Sequence, residues 1–550
     1  MKLKTLDLFN ITLLLIISSL LVVDLFVNRG QPATFDGPTH LTNIAHFANS
    51  IRNWEIPVTW TDGFANYGMP LGLMAQQTTS YLGGAMNLLF QNTILSYNVV
   101  YFIGAVLSAV LFYYFLRLYF NPDASLAGSV LFTLAPYRII NIYIRGALPE
   151  FFASVFLPVI FIGFYSIFNK QRFKGFALAT VGSGLLILTH PMMFLVSSFL
   201  FLPYLLFLFW RHQSRRLLFL SGAAVFLGLL LAGYYVFPLV AEIKYFYYGL
   251  EKNHFALGQS MGLQNFLDPR WYYFWRSDTF TRGHFIKSGL IETVILFLGI
   301  VGLGWNRSRK KKNERDWLAI IFIAVAGILI VLMSPIGIPL YQISSLLGGT
   351  QHQWRLFSAF IFIPPFILAF FLDKTGKKWA VFLAIILICV VRFPQLYGKN
   401  YVLHPDRDYL FSAENLHGNV LNTLWTGPTQ DYPIKAHKGE IIEGKGTLVT
   451  KSIKNTRRIY FVDTDTKLRL VDYTFYFPGW HALIDGGETT IEFQDPHYRG
   501  VITYFVPKGK HYIEVVFKPT KQRFFGYVLS AAGVVIFLGS FLFRKKFQKF

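Results

Sequence analysis

A single cysteine, Cys389, stands among 550 residues, so the chain forms no internal disulfide and carries no metal-thiolate cluster. Redox chemistry is therefore not expected. A glycine-rich phosphate loop, a serine nucleophile elbow and zinc-ligand spacing are also missing, which leaves ATP-driven transport, serine-triad hydrolysis and zinc chemistry without motif support. Charge is scarce as well: 15% of residues are charged, and 29 acidic residues face 51 basic ones. Soluble domains carry about 25% charged residues.

What the chain has in quantity is apolar surface. Hydrophobic residues make up 53% and aromatic residues 18%, with a mean hydropathy of +0.43. A hydrocarbon layer ~30 Å thick needs ~20 apolar residues per crossing. Such runs recur near 9–27, 98–119, 124–142, 149–167, 174–189, 191–209, 217–239, 288–305, 317–334, 355–372, 378–394 and 525–543, which predicts twelve spans. The first run follows Lys2 and Lys4, but Val22-Val23-Asp24-Leu25-Phe26-Val27 offers no small-residue cleavage site, so it is expected to stay as a span.

Basic residues fall in every second loop: Lys2 and Lys4, Lys170/Arg172/Lys174, Arg211/Arg215/Arg216, Arg307 to Arg315, Lys374/Lys377/Lys378 and Arg544-Lys545-Lys546. By the positive-inside rule both termini are expected in the cytoplasm. The formal charge of +22 then reports topology and attraction to anionic headgroups, and nucleic acid is not an expected partner. Segments 28–97, 143–148, 240–287, 335–354 and 395–522 face outward.

Past Asp36, the residues Leu41, Ile44, Ala48 and Ile51 share one helical face, which predicts an amphipathic helix lying on the membrane surface. Tyr81 to Phe90 is too short to span and reads as re-entrant or interfacial. After Phe393-Pro394 the apolar runs give way to strand-like sequence. Val501 to Val506 and His511 to Phe517, joined by Pro507-Lys508-Gly509-Lys510, together with Leu468 to Phe477, predict an antiparallel β-sandwich outside the membrane. The expected organisation is a membrane unit over 1–394, a β-rich domain over 395–522 and a last span with a basic tail over 523–550.

Several polar residues on the outer side carry two readings each. Asp36 either caps the following helix, since proline comes two residues later, or does chemistry. His40 either orients Asp36 or is a surface histidine. Arg145 and Glu150 flank one outer turn, as an ion pair fixing two spans or with the arginine fork on a phosphate diester. Trp354 and Arg355 open the tenth span, as interfacial anchors or as a clamp for phosphate and prenyl or sugar. His190 precedes Pro191 at a tight turn. Asp24 lies near membrane depth, where a carboxylate raises a functional question. The outer loop from Glu242 to Lys287 sets Tyr245, Tyr247, Tyr248, Trp271, Tyr272, Trp275 and Arg276 beside Glu251 and His254, suited to sugar stacking or to an aromatic belt. Asp463-Thr464-Asp465 resembles a metal motif but reads as turn chemistry.

Five short motifs in order, Asp36-Gly37-Pro38-Thr39-His40-Leu41, Tyr67-Gly68-Met69-Pro70-Leu71, Arg145-Gly146-Ala147-Leu148-Pro149-Glu150-Phe151, Leu188-Thr189-His190 and Gln353-Trp354-Arg355-Leu356, resemble the bacterial 6-pyruvoyl-tetrahydropterin-synthase-related membrane proteins. That family sits with the GT-C superfamily of polytopic glycosyltransferases. Tyr476-Phe477-Pro478-Gly479-Trp480 and Val506 to His511, followed by Phe517-Lys518-Pro519-Thr520, resemble the outer domain of related envelope-polymer glycosyltransferases. Met74 to Ser80 departs from the aromatic, proline-rich stretch usual in relatives.

The resemblance implies a GT-C-like polytopic helical protein with an outer β-sandwich. It would be a multi-pass enzyme of a bacterial cytoplasmic membrane, taking sugar from a polyprenyl-phosphate donor and passing it to an envelope glycan or lipid acceptor. It implies a carboxylate in the first outer loop near the acceptor, a role that Asp36 fits as catalytic base; His40, Arg145, Glu150, His190, Trp354 and Arg355 are the residues expected to bind substrate from their chemistry and placement. A divalent cation is admitted as cofactor, since some GT-C enzymes use one and others none. A transporter or flippase of lipid-linked saccharides, or a non-catalytic scaffold of envelope assembly, are the alternatives. A transporter often shows inverted repeats, and no clear repeat is seen here.

Overall fold

The computed structural model describes residues 5–247, 260–271, 286–305, 312–410, 422–427 and 431–547. Every one of the twelve apolar runs folds as helix, the conformation that satisfies backbone polar groups within a segment where water is absent. Eight described helices are long and apolar enough to cross a membrane: Thr93–Leu116, Pro122–Tyr143, Leu148–Phe168, Pro191–His212, Glu314–Met333, Gln353–Thr375, Lys378–Gln395 and Lys521–Leu542. A ninth is added if Arg215–Leu231 and Gly233–Tyr245, bent by 71°, make one span.

The expected count of twelve is thus not reached among the described residues. Leu6–Val22 and Leu290–Leu303 are shorter apolar helices. The Arg172–Thr189 helix is diluted by small and polar residues that serve packing instead: a Cβ at Gly228 would lie 2.7 Å from the Thr180 carbonyl oxygen, and one at Gly163 would lie 2.7 Å from the Ala179 nitrogen. At the 71° bend the freed backbone finds partners in the last span. Tyr234 N–H donates to Ser530 Oγ at 2.8 Å, and that hydroxyl donates to the Leu231 carbonyl at 2.9 Å.

A second expectation is corrected. The Gly37–Arg52 helix does not lie open on a membrane surface; His40, Leu41, Asn43, Ile44, His46, Phe47, Ala48 and Ser50 are all buried. Its polar face is used internally, with Thr61 Oγ1 2.6 Å from His46 Nδ1 and Asn455 Nδ2 donating to Ser50 Oγ at 3.4 Å. The Gln77–Phe90 helix packs along it and is too short to span.

The eight strands are β1 Gly439–Glu443, β2 Thr447–Lys454, β3 Arg457–Thr464, β4 Leu468–Phe475, β5 Trp480–Ile484, β6 Gly487–Thr489, β7 Val501–Val506 and β8 Gly509–Phe517. They form a three-stranded sheet, β1-β4-β7, and a five-stranded sheet, β2-β3-β8-β5-β6, with all pairs antiparallel. The short link Pro507-Lys508 crosses between the sheets: β7 pairs with β4, and β8 with β3 and β5.

The loop after the Gly37–Arg52 helix is threaded into this sandwich. Trp60 packs 5.2 Å from both Trp480 and Phe517, and Tyr67 stacks on Phe475 at 4.9 Å. Asp62 pairs with Arg458 and lies 3.4 Å from Lys438 Nζ. Glu55 accepts from Asn455 Nδ2 at 2.7 Å and from Thr456 N–H at 3.1 Å. The last span is anchored by Glu242, which accepts from Arg523 at 2.7 and 3.0 Å. Asp24 is spent on the chain at 398–401, accepting from Gly398 N–H at 2.7 Å and from the Tyr401 hydroxyl.

Candidate active site

The turn after the Pro122–Tyr143 span is laced to the start of the Gly37–Arg52 helix. Phe35 N–H donates to the Ile144 carbonyl at 3.3 Å and Asp36 N–H to the Arg145 carbonyl at 2.6 Å. Gly146 makes this approach possible. Its φ is +68°, and a Cβ there would sit 2.7 Å from the Gly37 nitrogen, so only glycine fits without strain. Asp36 and Arg145 are thereby placed side by side.

Asp36 occupies the helix N-cap, yet its side chain makes no capping hydrogen bond. Its Oδ2 faces Arg145 Nη2 at 3.4 Å instead, with a third of the side chain exposed. Arg145 is itself buried and held from the other side: Nη1 donates to Glu150 Oε2 at 2.9 Å, Asn141 Oδ1 at 2.8 Å and the Tyr137 hydroxyl at 3.3 Å. Its guanidinium carbon lies 4.3 Å from the Trp354 ring centroid, a cation–π contact. Glu150 also accepts from the Tyr137 hydroxyl and from Ser358 Oγ, the latter at 2.8 Å. The His352 ring stacks on Trp354 at 4.7 Å, 8° from parallel.

Arg355 stands differently. Its Nη1 donates to two neutral oxygens, the Thr350 carbonyl at 3.0 Å and Gln351 Oε1 at 2.5 Å, and among the described residues no carboxylate pairs with it. Its buried Nε has no hydrogen-bond partner there. It lies close enough to act electrostatically on Asp36, Glu150, His190 and His352. A guanidinium held only by neutral groups is a ready anion ligand.

The protonation states follow from these surroundings. Burial is the largest influence on Asp36 and, with Glu150, pushes its carboxyl above the usual carboxylate value, while Arg145 and Arg355 pull it back. Burial opposes the charge of Arg145, but Glu150, Tyr137 and Asp36 outweigh it and hold the guanidinium firmly protonated. Burial and Arg355 lower both His190 and His352 to about 3, so both rings are neutral at physiological pH.

The structure therefore gathers Asp36, Arg145, Glu150, Trp354 and Arg355 into one cluster, with His190 within its field. His190 ends the Arg172–Thr189 helix in extended backbone, with a buried Nδ1 that has no partner among the described residues. His40 is buried one turn beyond Asp36. Tyr137, Asn141, His352 and Ser358 were not picked out by sequence reasoning. Neither was Arg138, a fully buried arginine held by Ser108 at 2.7 Å and Ser154 at 2.5 Å, between the Phe132 and Phe151 rings. The signal was present: Tyr137-Arg138 and Asn141 interrupt an apolar run, where polar groups are costly. Of the aromatic loop from Glu242 to Lys287, Tyr245 joins Trp425 and Phe477, each at 5.8 Å; Tyr248, Glu251, His254, Tyr272, Trp275 and Arg276 lie outside the described residues.

A divalent cation does not fit this cluster. Asp36 and Glu150 both pair with Arg145, whose charge repels a cation, and among the described residues no group of three or more His, Cys, Asp or Glu could hold a metal ion.

A family model described as a 6-pyruvoyl-tetrahydropterin synthase related domain of membrane proteins matches residues 79–398, more than half of the chain. The chain belongs to this family. The family match takes in Arg145, Glu150, His190, Trp354 and Arg355, while Asp36, His40 and the sandwich fall outside it. An uncharacterized Lactococcus lactis protein is 23% identical over 268 residues, which is 47% of this chain and 42% of that protein; the chain thus spans under half the length of that relative. Three solved structures share distant likeness. The Archaeoglobus fulgidus oligosaccharyltransferase is 13% identical, with 72% of this chain and 56% of that one covered and a TM-score of 0.40. The mycobacterial arabinofuranosyltransferase AftD is 14% identical, covering 71% and 27%, with a TM-score of 0.42. The Mycobacterium smegmatis arabinosyltransferase EmbB is 10% identical, covering 94% and 63%, with a TM-score of 0.37.

Proposed function

We propose that this multi-pass membrane protein is an inverting glycosyltransferase of a bacterial cytoplasmic membrane. It would move a sugar from a polyprenyl-phosphate carrier to an envelope polymer or glycolipid at the outer face. The observation that carries the reading is the Asp36 carboxylate, free of capping duty and partly exposed beside Arg145, with Arg355 engaged only by neutral oxygens.

In the reaction the acceptor hydroxyl attacks the anomeric carbon, and the bond from that carbon to the carrier phosphate oxygen breaks. The hydroxyl proton passes to Asp36, which also offsets the positive charge developing on the sugar. The leaving phosphate keeps the electron pair, and its charge is met by Arg355 and Arg145. Glu150, with Tyr137, Asn141 and Ser358, fixes Arg145 in this position. His40 and His190 support the substrate, and Trp354 offers an apolar face to prenyl or sugar. A carboxyl raised above its ordinary value is a stronger base once ionised. The β-sandwich, laced to the loop that follows Asp36, binds the acceptor or caps the site.

The test is the sugar composition of the cell envelope in a strain carrying only Asp36→Asn, with membrane abundance matched to wild type. Loss of one decoration is the expected result and names the product. Full retention removes Asp36 from catalysis and favours a transporter of lipid-linked saccharides, which would use the same phosphate ligands without bond formation.

A further inference from the structure

A groove of about 400 Å³ opens between the Gly37–Arg52 helix, the end of the Gln77–Phe90 helix and the short helix Asp406–Leu410, a size within the ~300–1,000 Å³ of small-molecule sites. Ala45 in its lining follows Asp36 by nine residues, which at about 3.6 residues per turn sets it half a turn away around the helix. The groove therefore opens on a different face from the Asp36 cluster. Thr93, the first residue of the Thr93–Leu116 span, stands at its edge, and Ser50 of the same long helix meets the sandwich at Asn455. Span entry and sandwich thus place the groove at the sandwich end of the membrane unit.

Two opposite charges line the groove and do not meet. Arg52 Nη2 donates to Asn87 Oδ1 at 2.8 Å and to the Asn87 carbonyl at 3.3 Å. Asn87 Nδ2 donates to Thr93 Oγ1 at 3.2 Å, and Thr93 N–H donates to both Asp406 oxygens, each at 3.2 Å. Among the described residues no carboxylate pairs with Arg52 and no cation with Asp406. Buried Asn87 and Thr93 hold the two ions apart from one side. A guanidinium offers several N–H donors and a carboxylate several lone-pair sites; these contacts use one nitrogen of Arg52 and one N–H against Asp406, so most of both inventories is left for a ligand. The exposed amide of Gln91, donor and acceptor together, adds to the rim.

The sum of the lining charges is zero, and that selects the ligand. An anion would gain Arg52 and be opposed by Asp406, and a cation would meet the reverse. A hydroxyl is donor and acceptor at once, so neighbouring hydroxyls satisfy both ions with charge-assisted hydrogen bonds. We infer that this groove binds a neutral sugar, with Arg52 and Gln91 donating to its hydroxyl oxygens and Asp406 accepting from its hydroxyl hydrogens. Leu88, Leu89 and Phe90 are exposed just before Gln91, so the sugar has two possible sources, a glycan chain or the headgroup of a glycolipid. Held there, the sugar is retained on the protein away from Asp36, and this binding does not rest on the transfer reaction.

The experiment is binding to the full-length protein in phosphatidylcholine nanodiscs prepared without sugar detergents, read by native mass spectrometry. One probe is the oligosaccharide mixture from partial hydrolysis of the host's neutral envelope polysaccharide; the other is diglucosyl diacylglycerol added to the nanodisc. Wild type should bind, and the Arg52→Gln/Asp406→Asn double variant should bind at least tenfold more weakly, which corresponds to about 1.4 kcal/mol. Gln91 has a φ of +50°, where glycine is unstrained, so Gln91→Gly should melt no lower than wild type and still bind more weakly. Capture of the oligosaccharide assigns a glycan chain, and capture of the glycolipid alone assigns a headgroup. Binding of neither probe by wild type, or equal binding by a double variant that melts as wild type does, overturns the proposal. Binding lost on raising salt from ~0.1 to ~1 M, which shortens the screening length from about 10 to about 3 Å, overturns the neutral sugar in favour of an ionic ligand. No turnover is needed, so failure here and failure of the transferase reading are separate results.

Discussion

Asp36→Asn and Glu150→Gln should separate chemistry from architecture at one cluster. The two carboxylates share Arg145 but not its environment. Arg145 meets Glu150 at 2.9 Å with side-chain exposures of 6% and 2%, and meets Asp36 at 3.4 Å with Asp36 one-third exposed. Removing the charge of a buried partner strands the other ion, which costs about 3–5 kcal/mol; Glu150→Gln should approach that figure. A partly exposed pair contributes under about 1 kcal/mol, and burial already disfavours the ionised form of Asp36, so Asp36→Asn should melt close to wild type in detergent. Catalysis should rank the other way. A general base supplies about 10²–10⁴-fold, so Asp36→Asn should lose about 3–5 kcal/mol of transition-state stabilisation. Transfer from a polyprenyl-linked sugar and thermal melting, run on the same preparations, read both. An Asp36→Asn protein that melts as low as Glu150→Gln, or that transfers at the wild-type rate, would refute the assignment and make Asp36 a structural residue.

The pH dependence has a defined sign. Asp36 works ionised, so transfer falls as pH falls, with a midpoint above the ordinary aspartate value of about 3.9, as a rate profile on reconstituted protein would show. Its raised folded-state value means that ionisation costs stability as pH rises through that value, and Asp36→Asn should remove this slope from the melting curve. His190 and His352 titrate near 3, so His190→Gln should leave the shape of the rate profile between pH 5 and 8 unchanged, even where the rate itself drops. Glu242→Gln, which strands buried Arg523, should cost about 3–5 kcal/mol and loosen the last span, seen as a lower melting point and faster proteolysis between the sandwich and that span.

Much of this molecule was legible because hydrophobic run length is a local signal. All twelve apolar runs became helices, and the strand-like sequence after Phe393 became a two-sheet sandwich. What run length could not show is how a helix is used. Arg172–Thr189 spends its glycines on close packing, so composition alone does not qualify it as a span. The Gly37–Arg52 helix has the periodicity of a surface helix, but it is covered by the Gln77–Phe90 helix and by Asn455, which arrives 405 positions after Ser50, and periodicity within the helix contains neither fact. At the site, Asp36, Arg145, Glu150 and Arg355 stood out because charge is rare on this chain. Tyr137 and Asn141 interrupt an apolar run and Ser358 is an ordinary residue of another, but only the fold reveals that they converge on one ion pair.

The lacing of the loop at Glu55 to Tyr67 into the sandwich bears on how such a protein can change over evolution. Trp60 and Tyr67 are core residues of the sandwich although they precede it by hundreds of positions, and Glu55 and Asp62 bind its hairpin and its buried arginine. The sandwich is therefore not a cassette that recombination can attach or replace by itself. A grafted domain would arrive with an unfilled core, and the donor loop would be left with exposed tryptophan and unpaired acid. Loop and sandwich form one inherited unit, split in sequence by the membrane helices, and exchange between relatives would have to carry both pieces together.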